Sequence, residues 1–235
     1  MSISADKLKD FFKFYDDSNG SHVSSVELLH EDLVTSAPRL LEESGGWIAK
    51  YREPAPKSEA LLSNPLNVPH DCQLTNPGTE GWRECFSSSC AMVAMYWGVI
   101  EHQDEYHNVR PRFGDSTEAT SQIRTLKYFG LNAEFKMLGS KEKLKAQIDR
   151  GRPAPVGFLH HSPPPGTGGG HYVTCIGYSD DSFIFNDPYG ICDVINGGYP
   201  APGPQGKGVK YSYKHWVPRW SVANDNDGWG MDIWK

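Results

Sequence analysis

The sequence predicts an α+β fold, with helices before residue 150 and an antiparallel sheet after it. Apolar residues recur at three- to four-residue spacing through the first part of the chain, which is the period of an amphipathic helix. Later, short β-branched and aromatic runs alternate with turn residues, which is typical of antiparallel strands. Hydrophobic residues make up 38% of the 235 residues, which is sufficient for a folded core.

Residues 1–52 are predicted to form a small helical module. Their apolar positions fall into three short helical series, which begin at Leu8, Val26 and Leu40. The proline-containing residues 53–65 predict a linker, and residues 66–235 then form one main domain. The module is either a cell-wall anchor or a packing extension of the main domain.

The main domain is predicted to begin with a mostly apolar helix that follows Trp82. Cys85 stands at or just before the N-terminus of this helix, and its other apolar residues favour burial on nearly all sides. Two further helices are predicted over residues 117–129 and 141–150. Each is followed by a glycine, the usual residue at a helix C-terminus.

Three consecutive antiparallel strands are predicted over residues 154–159, 171–178 and 182–186. The intervening residues 162–170, SPPPGTGGG, are too rich in proline and glycine for regular structure. They are expected to be either a flexible connection or a mobile flap beside a functional site.

The C-terminal part is rich in glycine and proline over residues 196–208 and in tryptophan from His215 to Trp234. The tryptophans are expected either to line a groove for sugars or peptides or to be buried core residues.

Charge and cysteine content exclude several classes of protein. The net charge of −6 gives no electrostatic footprint for nucleic acid. The cysteines are odd in number and lack paired metal-ligand spacing, which argues against a disulfide framework or a structural zinc site. They are Cys72, Cys85, Cys90, Cys175 and Cys192. We expect no cofactor.

Targeting signals are not evident in the sequence. The charged N-terminus does not have the pattern of a secretory signal, and the longest apolar stretch is far shorter than the roughly 20 residues of a membrane-spanning helix. We therefore expect synthesis in the cytoplasm and no stable insertion into a membrane.

Three residues predict nucleophilic catalysis. A cysteine at the N-terminal end of a helix is favourably placed to ionise, because the helix dipole stabilises a thiolate. A histidine that is oriented by a carboxylate completes such a site in cysteine hydrolases. His171 and Asp187 lie on or next to neighbouring predicted strands, so antiparallel pairing would bring them together.

Four segments in order resemble the papain-like peptidases related to bacteriocin-leader-processing peptidases, the C39-like family. The first is NVPHDCQLTNPGTEGWRECFSSSCAMVAMYWG, in which Cys85 opens a Cys-X-X-Ser-Ser-X-Ala-Met helix. The others are GRPAPVGF, GGHYVTCIGY with His171, and FNDPYG with Asp187. The resemblance covers roughly residues 66–192. The sequence departs from the family pattern at Phe86, where many relatives have glycine or asparagine.

The resemblance implies a papain-like fold and assigns roles to the residues. Cys85 is the nucleophile, His171 the general base and Asp187 the orienting acid. Gln73, with the backbone N–H of Cys85, corresponds to the oxyanion hole, and Asn76 is the alternative donor. The adjacent His160 and His161 are expected to form a polar strand end rather than a metal site.

The implied activity is amide hydrolysis through an acyl-enzyme intermediate. The overall layout resembles a phage or bacterial cell-wall lysin, so the expected substrate is a stem or cross-bridge peptide of peptidoglycan, reached after release from the cytoplasm. A protein-directed cysteine peptidase or deamidase is the alternative, and a non-catalytic binding protein on a peptidase fold is the second alternative.

Overall fold

The computed structural model describes residues 64–224 and 226–235. The predicted helical module at residues 1–52 and almost all of the predicted linker at 53–65 lie outside the described residues. The domain boundaries therefore stay predictions. The described part contains five α-helices and six β-strands.

The helices and strands follow one another in mixed order. The helices are α1 (Cys85–Tyr96), α2 (Gln103–Val109), α3 (Ala119–Tyr128), α4 (Lys141–Asp149) and α5 (Tyr213–Trp220). The strands are β1 (Asn132–Gly139), β2 (Ala154–His161), β3 (Thr167–Tyr178), β4 (Ser182–Asn186), β5 (Val209–Ser212) and β6 (Gly228–Trp234). Short 3-10 helices cover Gln73–Thr75, Gly81–Arg83, Arg110–Arg112 and Pro204–Gly206.

The three helices predicted in the main domain are confirmed as α1, α3 and α4. The last two end as their sequence predicts, because Gly130 and Gly151 adopt φ angles of 84° and 71° directly after them. This left-handed conformation is accessible to glycine at little cost, so the chain can leave the helix there.

All six strands belong to one antiparallel sheet with the order β1-β6-β2-β3-β4-β5. The prediction of consecutive antiparallel strands is confirmed by β2, β3 and β4. Thr174 on β3 pairs with Asn186 at the end of β4, so Asp187 leaves the sheet beside the strand that carries His171.

The prediction for residues 162–170 is wrong in part. Residues 167–170 belong to β3, so His171 lies inside this strand rather than at its start. Pairing of His161 with Thr167 reduces the irregular segment to the turn of a hairpin, and Gly168 accommodates its φ of 72° without the strain a side chain would cause. Arg219 on α5 donates hydrogen bonds to the carbonyls of Leu159, His161 and Ser162, which fixes the base of this hairpin.

The tryptophans of the C-terminal part lie mostly in the core. The side chains of Trp216 and Trp220 have no solvent exposure, and Trp216 packs on Phe185 with ring centroids 4.6 Å apart. Trp216 and Trp220 are therefore buried core residues, which is one of the two expectations, and they do not line a groove for sugars or peptides.

Among the described residues, no helix is both long enough and apolar enough to cross a bilayer.

Candidate active site

Cys85 is the first residue of α1, as predicted. The helix is buried from Cys85 through Ala94, which fixes its position against β3. The preceding Glu84 makes no side-chain hydrogen bond to the start of the helix. The backbone N–H groups of the first turn, which have no partner within a helix, therefore favour negative charge at the Cys85 sulfur.

His171 and Asp187 are brought together by the pairing of β3 with β4. His171 Nε2 lies 2.9 Å from Asp187 Oδ1, within hydrogen-bond distance. The sulfur of Cys85 is close enough to the His171 ring to act on it electrostatically. Because Nε2 is used by Asp187, Nδ1 is the ring nitrogen left to face the sulfur.

The protonation of His171 follows from its surroundings. Burial alone would lower its pKa, but the carboxylate of Asp187 and the sulfur of Cys85 act more strongly in the opposite direction, and the pKa is raised to about 10. The imidazole is thus protonated at neutral pH and suited to form an imidazolium–thiolate pair.

The Asp187 carboxylate is fully buried and accepts hydrogen bonds at both oxygens. Oδ1 accepts from His171 and, at 3.0 Å, from the backbone N–H of Tyr189. Oδ2 accepts from the hydroxyl groups of Tyr199 and Tyr211, each at 2.8 Å. Nothing in the local sequence around Tyr199 or Tyr211 indicates that these residues return to Asp187, so neither could be predicted as part of the site.

Gln73 is buried rather than solvated, with an exposed fraction of 1%. Its Nε2 donates to the Gly81 carbonyl at 2.7 Å, in the 3-10 helix that ends just before Glu84 and Cys85. One of the two amide hydrogens is used in this bond, and the second is available to another acceptor.

Asn76, the alternative donor, is directed elsewhere. Its Nδ2 donates to Glu84 Oε2 at 3.0 Å and to Ser88 Oγ at 2.9 Å. Both amide hydrogens are therefore occupied inside the protein, and of the two candidates Gln73 is the one with a hydrogen to spare.

A buried cluster of charged and polar groups supports the start of α1. Arg110 Nη2 forms an ion pair with Glu84 Oε1 at 2.8 Å. His107 lies between two carboxylates, 3.6 Å from Glu84 Oε2 and 3.5 Å from Asp71 Oδ2. Because Glu84 directly precedes Cys85, this cluster fixes the backbone on which the sulfur is carried.

Phe86, where the sequence departs from the family pattern, has a structural partner. Its ring stacks on that of Tyr172, with centroids 3.8 Å apart and an angle of 7° between the planes. Phe86 follows Cys85 and Tyr172 follows His171, so the stacked pair joins the two chain segments that carry these residues.

His160 and His161 lie at the end of β2, close to His171. The rings of His160 and His171 are 5.8 Å apart, and burial followed by the charge of His171 lowers the pKa of His160 to about 3. His160 is therefore neutral. Within residues 64–224 and 226–235, no three or more histidine, cysteine, aspartate or glutamate side chains are arranged so that they could hold a metal ion.

Three solved structures similar to this chain are described as peptidases, one of them putative. The peptidase domain of Streptococcus ComA, a bi-functional ABC transporter, is 17% identical over 65% of this chain and 91% of that domain, with a TM-score of 0.44. A putative C39-like peptidase from Bacillus anthracis is 17% identical over 72% of this chain and 95% of its own, with a TM-score of 0.48. A double glycine motif protease from an AMS/PCAT transporter, solved with the leader peptide, is 16% identical over 74% of this chain and 95% of its own, with a TM-score of 0.42.

No curated protein matches the chain significantly. The Peptidase_C39 like family matches residues 65–195, which is more than half of the chain and includes Gln73, Cys85, His171 and Asp187. The helix with an N-terminal cysteine and the antiparallel sheet that carries a histidine agree with the papain-like fold of such peptidases. The chain therefore belongs to the Peptidase_C39 like family of cysteine peptidases.

Proposed function

We propose that the protein hydrolyses peptide bonds with Cys85 as nucleophile, His171 as general base and acid, and Asp187 as the residue that orients the histidine. The observation that supports this most directly is the 2.9 Å hydrogen bond between His171 Nε2 and Asp187 Oδ1, on a ring whose pKa the Cys85 sulfur also raises. A histidine that is oriented by a carboxylate and acts on a cysteine is what this chemistry requires.

The proposed reaction begins from the imidazolium–thiolate pair. The Cys85 thiolate attacks the carbonyl carbon of the scissile amide and forms a tetrahedral intermediate with a negatively charged oxygen. His171 then donates its proton to the leaving nitrogen, the C–N bond breaks, and an acyl-enzyme remains on the sulfur. Water, deprotonated by the now neutral His171, attacks the thioester carbonyl, and the C–S bond breaks, which releases the acid and restores the imidazolium–thiolate pair.

The oxyanion is proposed to bind the backbone N–H of Cys85 and the side-chain amide of Gln73. The first donor lies at the start of α1, where the helix dipole also favours negative charge. The second is supported by the burial of Gln73 and by the amide hydrogen that remains after its bond to Gly81. Donors held in place before reaction stabilise the transition state without reorganisation.

For the substrate, we propose a stem or cross-bridge peptide of peptidoglycan. Cys85 has an exposed fraction of 7% and His171 of 4%, so both side chains are largely covered by the surrounding protein. Such limited exposure favours small residues at the cleaved bond, and glycine and alanine are common in these wall peptides. Action there requires release of the protein from the cytoplasm.

The substrate is tested by mass spectrometry of peptides released from purified peptidoglycans. A protein-derived peptide mixture is digested in parallel, and Cys85→Ala is the inactive control. We expect muropeptides cut beside glycine or alanine with the native protein alone. Cleavage of the protein-derived peptides without any release from peptidoglycan would instead identify a protein-directed peptidase. Equal turnover by Cys85→Ala would overturn the proposed chemistry altogether.

A further inference from the structure

The Asp187 carboxylate is buried with very little opposite charge to compensate it. Its only direct ionic partner among the described residues is His171. Burial removes the water that would otherwise solvate a carboxylate, so its oxygens need hydrogen-bond donors from the protein.

Two of the four donors to Asp187 are phenol groups from distant parts of the chain. Tyr211 comes from β5 and Tyr199 from the glycine- and proline-rich segment before it, and both hydroxyls lie 2.8 Å from Oδ2. The Tyr211 oxygen also accepts a hydrogen bond from the Cys192 backbone N–H at 2.9 Å. A backbone N–H can only donate and an ionised carboxylate can only accept, so the single hydroxyl hydrogen of Tyr211 is directed to Asp187.

The two phenols are stable as donors. Burial, followed by the charge of Asp187, raises the pKa of both Tyr199 and Tyr211 well above the ordinary value for tyrosine. Neither hydroxyl loses its proton within the range in which a cysteine peptidase works, so both keep donating to the carboxylate.

Tyr199 also covers the histidine. Its ring packs edge-on against that of His171, with centroids 5.0 Å apart and an angle of 64° between the planes. On the other side the ring contacts Tyr189 at 5.1 Å. The same residue thus holds the carboxylate through its hydroxyl and limits the access of water to the His171–Asp187 hydrogen bond through its ring.

We propose that Tyr199 and Tyr211 are positioning residues that hold the Asp187 carboxylate in line with His171, so that the imidazole keeps its proton and stays directed at Cys85. We call these two residues the phenol clamp. This inference rests on the proposed function, because it assumes the roles given there to Cys85, His171 and Asp187. Other titratable groups near Asp187 include the thiol of Cys192, whose pKa is raised to about 12 by burial and then by Asp187, and Cys85 across the imidazole. His70 is a third, with its Nε2 3.0 Å from the backbone oxygen of Asp187.

The phenol clamp is tested by the rate at which iodoacetamide alkylates Cys85, because this reaction reports the thiolate and needs no substrate. The variants are Tyr199→Phe, Tyr211→Phe and the double variant, which remove the hydroxyls and keep the rings. Tyr178→Phe is the matched control, since its hydroxyl donates to Asp149 at 2.6 Å on the protein surface. Peptide mapping assigns the label to Cys85, with Cys85→Ala as the blank.

We expect the double variant to be alkylated about tenfold more slowly than the native protein at about pH 6, the scale of losing a hydrogen bond to a charged group. At about pH 9.5 a thiol ionises without help from an imidazolium, so the rates should agree within about twofold. The single variants should fall between, and Tyr178→Phe should match the native protein at both pH values.

Equal rates for the native protein and the double variant at about pH 6 would overturn the phenol clamp. A loss of the same size at both pH values would also overturn it, since that pattern reports a general distortion. If Tyr211→Phe prevents folding, the single variant Tyr199→Phe, which changes a partly exposed residue, still tests the proposal.

Peptide cleavage by the same proteins is measured in parallel. If native Cys85 reacts rapidly at low pH but no peptide is cut, the proposed function is wrong, while the alkylation result for the phenol clamp still stands.

Discussion

We expect turnover to depend more strongly on Cys85 and His171 than on Asp187. Cys85→Ala removes the sulfur that forms the acyl-enzyme, and His171→Ala removes the proton donor, so each should reduce kcat by about 10⁴ or more. Asp187→Asn keeps a hydrogen-bonding group beside His171 Nε2 and should reduce kcat less than either of these changes. Turnover of a fluorogenic peptide that the protein cleaves measures these effects.

The matched control for Cys85 is Cys175→Ser. Cys175 is also a fully buried cysteine, but it lies on β3 with its thiol directed at the Gly177 carbonyl, a bond that serine can also make. It should retain most of the native kcat. If this control lost as much activity as Cys85→Ala, turnover would depend on cysteines in general and the assignment of the nucleophile would be wrong.

The oxyanion donor can be distinguished by comparing Gln73 with Asn76. Gln73→Ala should reduce kcat by about 10²–10³, the usual cost of one oxyanion donor. Asn76→Ala removes the amide that joins Glu84 to Ser88, so it should instead reduce the free energy of unfolding by about 1–3 kcal/mol. Steady-state kinetics and urea unfolding of both variants separate the two effects. Unchanged kcat in Gln73→Ala would leave backbone groups as the donors.

The ion pair between Glu84 and Arg110 holds the start of α1, the helix that carries the proposed nucleophile. Both side chains are largely buried, so removing one partner leaves the other charged and uncompensated. Glu84→Gln and Arg110→Met should each reduce the free energy of unfolding by about 3 kcal/mol, and the double variant should lose clearly less than the sum. A double-mutant cycle by urea unfolding gives the coupling. Additive losses would mean that the pair does not hold the start of α1.

The elements that the sequence predicts correctly have local signals, and the missed elements do not. α3 and α4 are bounded by glycines that end a helix, and β4 is a short apolar run between turns, so each could be predicted from its own residues. The residues of β6, GWGMDIW, indicate only that the tail is rich in tryptophan and do not by themselves predict a strand. Its place in the sheet depends on β1 and β2, which pair with it from far along the chain.

The same distinction applies to the site. Cys85, His171 and Asp187 were predictable because each stands in a local pattern that the family shares. The positions of Tyr199 and Tyr211 depend on how the glycine- and proline-rich segment returns to Asp187, and this path is set by contacts that are distant in sequence. Burial of Gln73 was likewise not evident, because its partner at Gly81 is a backbone carbonyl.

At the scale of the whole molecule, the raised pKa of His171 couples stability to pH. A pKa of about 10 in the folded protein, against about 6.5 for an unperturbed histidine, means that the folded state binds the proton more tightly. The stabilisation is fully present below about pH 6.5 and is lost as the pH rises through about 10. The free energy of unfolding should therefore fall across this window.

This prediction is checked by urea unfolding at several pH values, with His171→Gln as the reference. The difference in free energy of unfolding between the native protein and the variant should shrink steadily from about pH 6.5 to about pH 10. Groups that titrate in both proteins cancel in this difference. A difference that stays constant would show that His171 is not held protonated by Asp187 and Cys85.

The strand order also determines when the sheet can be completed. β6 is the last strand in the chain, yet it lies between β1 and β2 rather than at an edge. Before residues 228–234 are synthesised, the facing edges of β1 and β2 have unpaired backbone N–H and C=O groups. Such edges can pair with strands of other chains. Premature termination shortly before Gly228 should thus produce aggregation-prone fragments rather than a slightly shortened enzyme.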